Sequence, residues 1–186
     1  MTPGKEEAVR EQAAQGAKPD VAGEGGATPA ANNGWNPNIV VFACNWCSYA
    51  GADTAGVSRI QHQPHFRTIR VMCSGRIQPA FVLRAFERGA DGVLVSGCHF
   101  GDCHYVFGNE KAVEQFEKTK AVVKMLGLEE GRLRLEWISA AEGGRFAQVI
   151  DEFIEQLRVL GPSPLGGNGR PAEVPAEAEE EVEARV

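Results

Sequence analysis

The sequence lacks any apolar run close to the roughly 18 residues that a membrane-spanning helix requires. Its first thirty residues also lack the hydrophobic segment of a secretory signal peptide. Neither a GxGxxG nor a GxxxxGKS/T pattern follows the first predicted strand, so nucleotide binding has no support at the place where it is usually found. We therefore expect a cytoplasmic protein without a membrane span.

A net basic surface is missing as well. The formal net charge of the chain is -6, of which residues 1–37 contribute -2 and residues 161–186 contribute -4. The segment between them is neutral, whereas a nucleic-acid surface needs a net basic face, so we expect no nucleic-acid partner. Within that segment, six arginines lie from Arg59 to Arg88 with only Glu87 as a counter-charge. They form either a basic face toward a partner or an anion, or a set of solvated side chains.

Large apolar side chains are almost absent from both ends of the chain. Residues 1–37 are rich in Ala, Gly, Gln, Glu and Pro, and residues 161–186 have the same character with an acidic excess. Such compositions bury too little apolar surface to offset the conformational entropy that is lost on ordering. We predict two disordered tails and a single folded domain over residues 38–160.

Short β-branched segments alternate with helical patterns between the tails. Four segments have the composition of strands, at residues 38–43, 68–72, 92–96 and 132–139. Apolar residues at helical spacing follow the second, third and fourth of them, within residues 82–86, 112–126 and 146–160. Strands that alternate with helices favour a parallel sheet with helices on both faces. The prediction is a three-layer α/β domain with four parallel strands in the flavodoxin-like order 2-1-3-4.

Structural disulfides are not expected, because the chain has five cysteines, an odd number, and the cytoplasm is a reducing compartment. Each cysteine comes soon after the end of a predicted strand. Cys44 and Cys47 follow the first strand, Cys73 the second, and Cys98 and Cys103 the third. The carboxyl ends of parallel strands meet at one edge of the sheet, where ligands bind in such folds. We expect a metal ion or cluster among these thiols, because crowded thiolates without a cation repel one another.

Three kinds of site use thiols in this arrangement. Structural zinc usually has paired CxxC motifs in a small module, whereas only Cys44 and Cys47 have that spacing here. A 2Fe-2S cluster needs four thiolates, or two thiolates and two imidazoles, and accepts irregular spacings from several loops. In a thiol oxidoreductase, Cys44 and Cys47 would form a reversible disulfide that Cys98 or Cys103 resolves. Such an enzyme sets its CxxC at a helix start, and the next predicted cap here is Asp53, which disfavours this alternative.

Two histidines directly follow cysteines in the stretch VSGCHFGDCHY. His99 and His104 are the right number for a cluster with two imidazole ligands, but adjacent side chains tend to point apart. We expect both imidazoles to hydrogen-bond to cluster sulfur or to a partner, and not to ligate iron. No set of acid, base and nucleophile is visible elsewhere, so no separate catalytic site is predicted.

Three stretches of the domain are specific enough to point to a family. They are VFACNWCSYAGAD, IRVMCSGRIQPAFVLRAFERGADGVLVSGCHFGDCHYVFGNEKA and RLRLEWISAAEGGRFAQVI. They strongly resemble the delta subunit of methyl-viologen-reducing NiFe hydrogenases, and the similarity covers residues 38–165. The resemblance implies a small iron-sulfur protein with a 2Fe-2S cluster. The cysteines of the family correspond to Cys44, Cys47, Cys73, Cys98 and Cys103, of which four are expected to ligate iron.

The resemblance also implies the partners of the protein. Members of this family carry electrons one at a time from a hydrogenase or another dehydrogenase to the flavin-containing subunit of a heterodisulfide-reductase-like complex. Similar subunits occur with formate-, NADH- or methylenetetrahydrofolate-linked partners in anaerobic bacteria, so the donor stays open. From the residues alone, a zinc-bound adaptor and a CxxC thiol oxidoreductase remain the alternatives.

Overall fold

A computed structural model describes residues 35–165 of the chain. Most of the two predicted tails therefore lies outside the described residues. Four strands alternate with four helices along this part of the chain. In chain order the elements are β1 (Ile39–Cys44), α1 (Ser48–Val57), β2 (Phe66–Val71), α2 (Pro79–Glu87), β3 (Gly92–Gly97), α3 (Gly108–Met125), β4 (Leu133–Trp137) and α4 (Gly143–Leu160), with 3₁₀ turns at Ser74–Arg76 and Glu130–Arg132.

The strands form one parallel sheet in the order β2-β1-β3-β4. Ile39 of β1 lies opposite Phe66 of β2 on one side and opposite Gly92 of β3 on the other. Every residue of β3 is buried, as expected of a central strand that is covered on both faces. The predicted fold class and strand order are confirmed.

Helices cover both faces of the sheet and bury two apolar layers. On one face, α1 and α4 pack against side chains of β1 that include Val41. On the other face, α2 and α3 pack against a layer that contains Phe42. Val41 and Phe42 point to opposite faces because side chains alternate along a strand, so β1 contributes to both layers. Within residues 35–165, no helix is both long and apolar enough to cross a membrane.

Helix α1 was not predicted from the sequence, and Asp53 was predicted as a helix cap. That prediction is wrong, because α1 begins at Ser48, Cys47 is its N-cap and Asp53 lies within the helix. The helix contains Gly51 and Gly56 and has no clear apolar stripe, which hid it from a search for helical periodicity. Its small residues have a packing role, since a side chain at Gly51 would lie 2.8 Å from the backbone oxygen of Ser139.

We expect Gly143→Ala to destabilise the fold by about 1 to 3 kcal/mol. An added Cβ at Gly143 would lie 2.6 Å from the backbone nitrogen of Ala55 in α1, and backbone cannot move aside cheaply. Gly144 is the matched control, because a Cβ there meets no atom within 4 Å and the change to Ala favours the helix by up to about 1 kcal/mol. Urea denaturation followed by circular dichroism measures both. Equal midpoints for the two variants would contradict the close contact between α1 and α4.

A buried arginine links the end of α4 to the amino-terminal edge of the sheet through hydrogen bonds. The side chain of Arg132 is fully buried, and its Nε lies 2.5 Å from a carboxylate oxygen of Glu129. The guanidinium also donates to backbone oxygens of the residue before β3, of the last residue of α4 and of the two residues after α4. These acceptors belong to Asp91, Leu160, Gly161 and Pro162.

Candidate metal centre

The carboxyl ends of β1, β2 and β3 bring five thiols to one edge of the sheet. Cys44 is the last residue of β1, and Cys47 is the N-cap of α1 three residues later. Cys73 precedes the 3₁₀ turn after β2. Cys98 directly follows β3, and Cys103 lies in the loop that leads to α3. The parallel connections of the fold therefore place all five cysteines at the same edge of the sheet.

Three of these thiols form a tight group. The sulfur atoms of Cys44, Cys47 and Cys98 lie within 4.8 Å of one another, and those of Cys44 and Cys98 are 3.9 Å apart. The three residues are 1%, 6% and 3% exposed, so water has little access to them. Three converging buried thiols are a donor set that could hold a metal ion or cluster.

The other two thiols adjoin this group. Cys103 packs against the three buried cysteines. Cys73 and Cys103 both lie beside Gly108, the first residue of α3, because a Cβ added there would lie 3.0 Å from the Cys103 sulfur and closer still to that of Cys73. The absence of a side chain at Gly108 thus lets the two sulfurs approach the backbone of α3.

Hydrogen bonds among the three grouped thiols separate their pKa values. The pKa of Cys44 is lowered to about 2, because Cys47 and Cys98 donate to its sulfur and the backbone N–H groups of Trp46 and Ser74 do the same. The pKa of Cys47 is raised to about 11, and that of Cys98 is also raised, because each shares its proton with Cys44. Burial and the neighbouring sulfurs thus oppose ionisation of Cys47 and Cys98, and further thiolates need a cation among them.

The histidines beside the cysteines have other contacts. His99 Nε2 lies 2.6 Å from a carboxylate oxygen of Glu142, the N-cap of α4. The pKa of Glu142 is lowered to about 2, because its carboxylate accepts the backbone N–H of Ser139 and the contact from His99. His104 stacks on Trp46 with ring centroids 3.9 Å apart. Sequence reasoning missed Glu142, which lies 43 residues from His99 in the chain; a role of either imidazole toward a cluster stays a prediction.

Exposed apolar side chains surround the cysteine edge. The indole nitrogen of Trp46 donates to the hydroxyl of Tyr105 over 3.3 Å. Val106 and Phe107 follow in the same loop, and Met72 directly precedes Cys73. We call these five residues the apolar rim. Each is between 43% and 76% exposed, with Trp46 the least and Val106 the most exposed.

The loop of the apolar rim contains a strained turn. Val106 has a φ of 71°, and the N–H of Phe107 donates to the oxygen of Tyr105 over 2.8 Å. This hydrogen bond closes a γ-turn of the positive-φ kind, which is rare, and a β-branched residue is unfavourable there. Strain of this kind costs about 1 to 3 kcal/mol and is found mainly at functional sites.

We expect Val106→Gly to stabilise the fold by about 1 kcal/mol, because glycine adopts a positive φ without strain. The greater conformational entropy of glycine in the unfolded chain offsets part of this gain. The melting temperature should rise by a few degrees. Val159→Gly is the control, since Val159 is 81% exposed but lies in α4, where glycine is unfavourable. In thermal unfolding, the melting temperature should rise for Val106→Gly and fall for Val159→Gly. A fall for both would contradict strain at Val106.

Known proteins are similar to this chain over most of the described domain. The family model described as "Methyl-viologen-reducing hydrogenase, delta subunit" matches residues 39–161. The chain is 50% identical over 134 residues to the F420-non-reducing hydrogenase vhc iron-sulfur subunit of Methanococcus voltae. This match covers 72% of this chain and 93% of that protein. The chain is 52% identical over 128 residues to the F420-non-reducing hydrogenase iron-sulfur subunit of Archaeoglobus profundus, covering 69% of this chain and 93% of that protein.

A different kind of relative contains a similar sequence as part of a longer protein. The chain is 53% identical over 126 residues to a subunit of the Ferredoxin/F(420)H(2)-dependent CoB-CoM heterodisulfide reductase of Methanosarcina acetivorans. The match covers 68% of this chain but 16% of that protein. A sequence similar to most of the described domain is therefore joined there to a much larger polypeptide.

Proposed function

Because the chain belongs to the family of methyl-viologen-reducing hydrogenase delta subunits, we propose that it is an iron-sulfur electron carrier within a hydrogenase or heterodisulfide reductase complex. The family resemblance noted in the sequence is confirmed. The observation that supports the function most directly is the group of three buried thiols, which two further thiols adjoin. Relatives that are named iron-sulfur subunits support a metal centre at these thiols.

The donor set fits a 2Fe-2S cluster, which needs four thiolates. We assign Cys44 and Cys47 of the loop after β1, with Cys98 and Cys103 of the loop after β3, as the ligands. The two strands are neighbours in the sheet, and Cys103 packs against the other three. Cys73 is then the spare thiol, since it does not pack with the cluster of Cys44, Cys47, Cys98 and Cys103. Such a cluster, when bound, supplies a one-electron redox centre.

The surroundings of the thiols suit an electron carrier. Burial of the cysteines keeps water from the site, and low exposure together with hydrogen bonds to sulfur sets the potential of such centres. The backbone N–H groups of Trp46 and Ser74 point to the Cys44 sulfur, and that of Gly75 points to Cys73. Burial also raises the pKa of Cys73, which favours a neutral thiol there.

The relatives suggest the partners. Two of them are named as subunits of an F420-non-reducing hydrogenase, and we propose a hydrogenase or another dehydrogenase as the electron donor. In the heterodisulfide reductase of Methanosarcina acetivorans, a matching sequence is part of a longer polypeptide. Domains that are fused in one protein commonly act side by side as separate chains in another. We therefore propose the flavin-containing subunit of a heterodisulfide-reductase-like complex as the acceptor, in the cytoplasm, and call it the flavin acceptor.

The structure removes one objection to the thiol oxidoreductase alternative and adds another. The position of Cys47 at the start of α1 removes the objection that the CxxC motif is far from a helix. Reactive cysteines, however, are partly exposed, whereas Cys44 and Cys47 are 1% and 6% exposed. A protein disulfide cannot reach either sulfur, so the electron carrier is the better explanation.

Metal analysis of protein purified without oxygen tests the proposal. We expect about two irons and two acid-labile sulfides per chain, and an EPR signal after reduction by dithionite. One zinc without sulfide would replace the electron carrier by a zinc-bound adaptor, since zinc has no redox chemistry. Protein that holds neither metal after anaerobic purification, but forms a disulfide on oxidation, would favour the thiol oxidoreductase.

A further inference from the structure

We propose that Asn109, the second residue of α3, positions the cysteine loop from Cys98 to Cys103 for metal binding. The inference rests on the proposed function and adds a positioning residue that is not itself a ligand. The loop carries two of the four proposed ligands. Asn109 holds it through hydrogen bonds from its side chain to the backbone of the loop.

The buried amide of Asn109 is the first observation. Asn109 is 1% exposed, and its Nδ2 donates to the backbone oxygen of Cys98 over 3.2 Å and to that of His99 over 2.9 Å. Its Oδ1 accepts the backbone N–H of Glu110 over 3.0 Å. Both hydrogens of the amide nitrogen are therefore used on the two residues that directly follow β3. Loss of this amide would leave buried carbonyl oxygens without their donor, which is unfavourable.

The place where these hydrogen bonds meet the loop is the second observation. Cys98 is the first residue after β3, and its sulfur belongs to the group of three thiols. The oxygen of His99 also accepts the N–H of Asp102 over 3.1 Å, which closes the turn that precedes Cys103. Asn109 thus fixes both the exit from β3 and this turn. Since metal sites tolerate ligand displacements of only about 0.5 Å, a shift of either would weaken metal binding.

Close packing of the first turn of α3 against the cysteine segments is the third observation. A Cβ at Gly108 would lie 3.0 Å from the Cys103 sulfur and closer still to that of Cys73. A Cβ at Gly75, in the 3₁₀ turn after β2, would lie 2.6 Å from the backbone oxygen of Gly108. The first turn of α3 therefore packs against the segments after β2 and β3, and Asn109 links it to the second of these by hydrogen bonds.

A second helix also holds the start of this loop, but by a weaker contact. His99 Nε2 lies 2.6 Å from a carboxylate oxygen of Glu142, the N-cap of α4. The two side chains are 42% and 40% exposed, so solvent screens their interaction, whereas the amide of Asn109 is buried. The loop therefore depends mainly on Asn109 for its place. Because the contact to Glu142 remains, variants of Asn109 should still fold.

Two variants of Asn109 test the inference in the iron-loaded full chain. Asn109→Asp keeps the size of the side chain and the acceptor for Glu110, and an acidic group suits the first turn of a helix. It replaces the donor nitrogen by an oxygen that faces two carbonyl oxygens. Asn109→Ala removes the donor without this repulsion. We expect iron release to bathophenanthroline disulfonate, in anaerobic dithionite, to be at least about tenfold faster for Asn109→Asp and intermediate for Asn109→Ala.

Spectroscopy separates a positioning role from a general contribution to stability. A residue that only stabilises the fold would lower the urea midpoint and leave the EPR signal of the iron-bound fraction unchanged. A displaced loop should change the shape of the reduced-state signal in Asn109→Asp and shift its reduction potential in an EPR-monitored titration.

Asn38→Asp is the matched control at the opposite edge of the sheet. Asn38 directly precedes β1, and its Nδ2 donates to the backbone oxygen of Gly89 over 3.3 Å. Its Oδ1 accepts from Arg67 over 2.9 Å, so the same substitution again removes a donor to backbone and keeps an acceptor. We expect its iron release within about twofold of the wild type and an unchanged EPR signal, because Asn38 is far from the cysteines.

The outcomes separate this inference from the proposed function. Iron release and EPR signals like those of the wild type in both Asn109 variants would overturn the positioning role and leave the electron carrier intact. Loss of the folded state in both variants, seen by circular dichroism, would make Asn109 a residue of the whole fold and would also overturn it. A wild-type protein without iron would remove the proposed function itself, and this inference with it.

Discussion

We expect Cys98→Ser to retain the fold and to lose more than about nine-tenths of the bound iron. The reason is the position of Cys98, whose sulfur lies within 4.8 Å of both Cys44 and Cys47 and 3.9 Å from Cys44. A serine hydroxyl is a poor ligand for iron in such a cluster, and no other thiol from β3 can take its place without moving the loop. Cys44→Ser should have the same effect. Iron and sulfide content, with the EPR spectrum of the reduced protein, measures it.

Cys73→Ser is the matched control, because Cys73 is buried at the same edge but lies outside the group of three. We expect it to keep its iron and sulfide, with a shift in reduction potential at most. Cys103→Ser should behave like Cys98→Ser, since Cys103 is the fourth proposed ligand. Loss of iron from Cys73→Ser together with full iron in Cys103→Ser would exchange the roles of these two cysteines. Full iron in all five serine variants would refute the site.

The place of the cysteines could be predicted because it depends on few assumptions. Once four short apolar segments alternate with helices, the strands must be parallel, and residues directly after them meet at one edge. Cys44 ends and Cys98 follows the two most buried strands, whose apolar composition made their ends easy to locate. Register between neighbouring strands was not needed for this conclusion, and strand order was needed only in part.

Details that depend on side-chain approach could not be predicted. The division of five thiols into a group of three and an adjoining pair depends on the paths of the loops. The spacing of the cysteines in the sequence does not determine these paths. Helix α1 was missed because Gly51 and Gly56 resemble a loop, although close packing against the backbone of Ser139 is what requires a small residue at Gly51. The contact between His99 and Glu142 and the positive φ of Val106 likewise leave no mark in composition or periodicity.

Stability and metal binding should depend on opposite edges of the sheet. We expect Arg132→Met to destabilise the fold by about 3 to 5 kcal/mol, because it removes a fully buried guanidinium from its carboxylate and from the backbone oxygens that it serves. The chain after α4 would lose most of its attachment to the residues before β3. Lysine should restore only part of the stability, since a single ammonium cannot reach acceptors on both sides. Urea denaturation of iron-loaded protein measures the loss.

The metal content of the variant makes this prediction specific. Arg132 precedes β4 and bonds to the backbone of Asp91 before β3, so it lies a full strand length from the cysteines. Folded Arg132→Met should therefore hold as much iron per chain as the wild type, whereas Cys98→Ser should fold and hold almost none. Arg88→Met is the control for a lost positive charge, and as an exposed change it should cost less than about 0.5 kcal/mol. A stable Arg132→Met would show that the buried contacts of this arginine do not maintain the fold. Iron loss in its folded fraction would show that the two edges of the sheet are coupled.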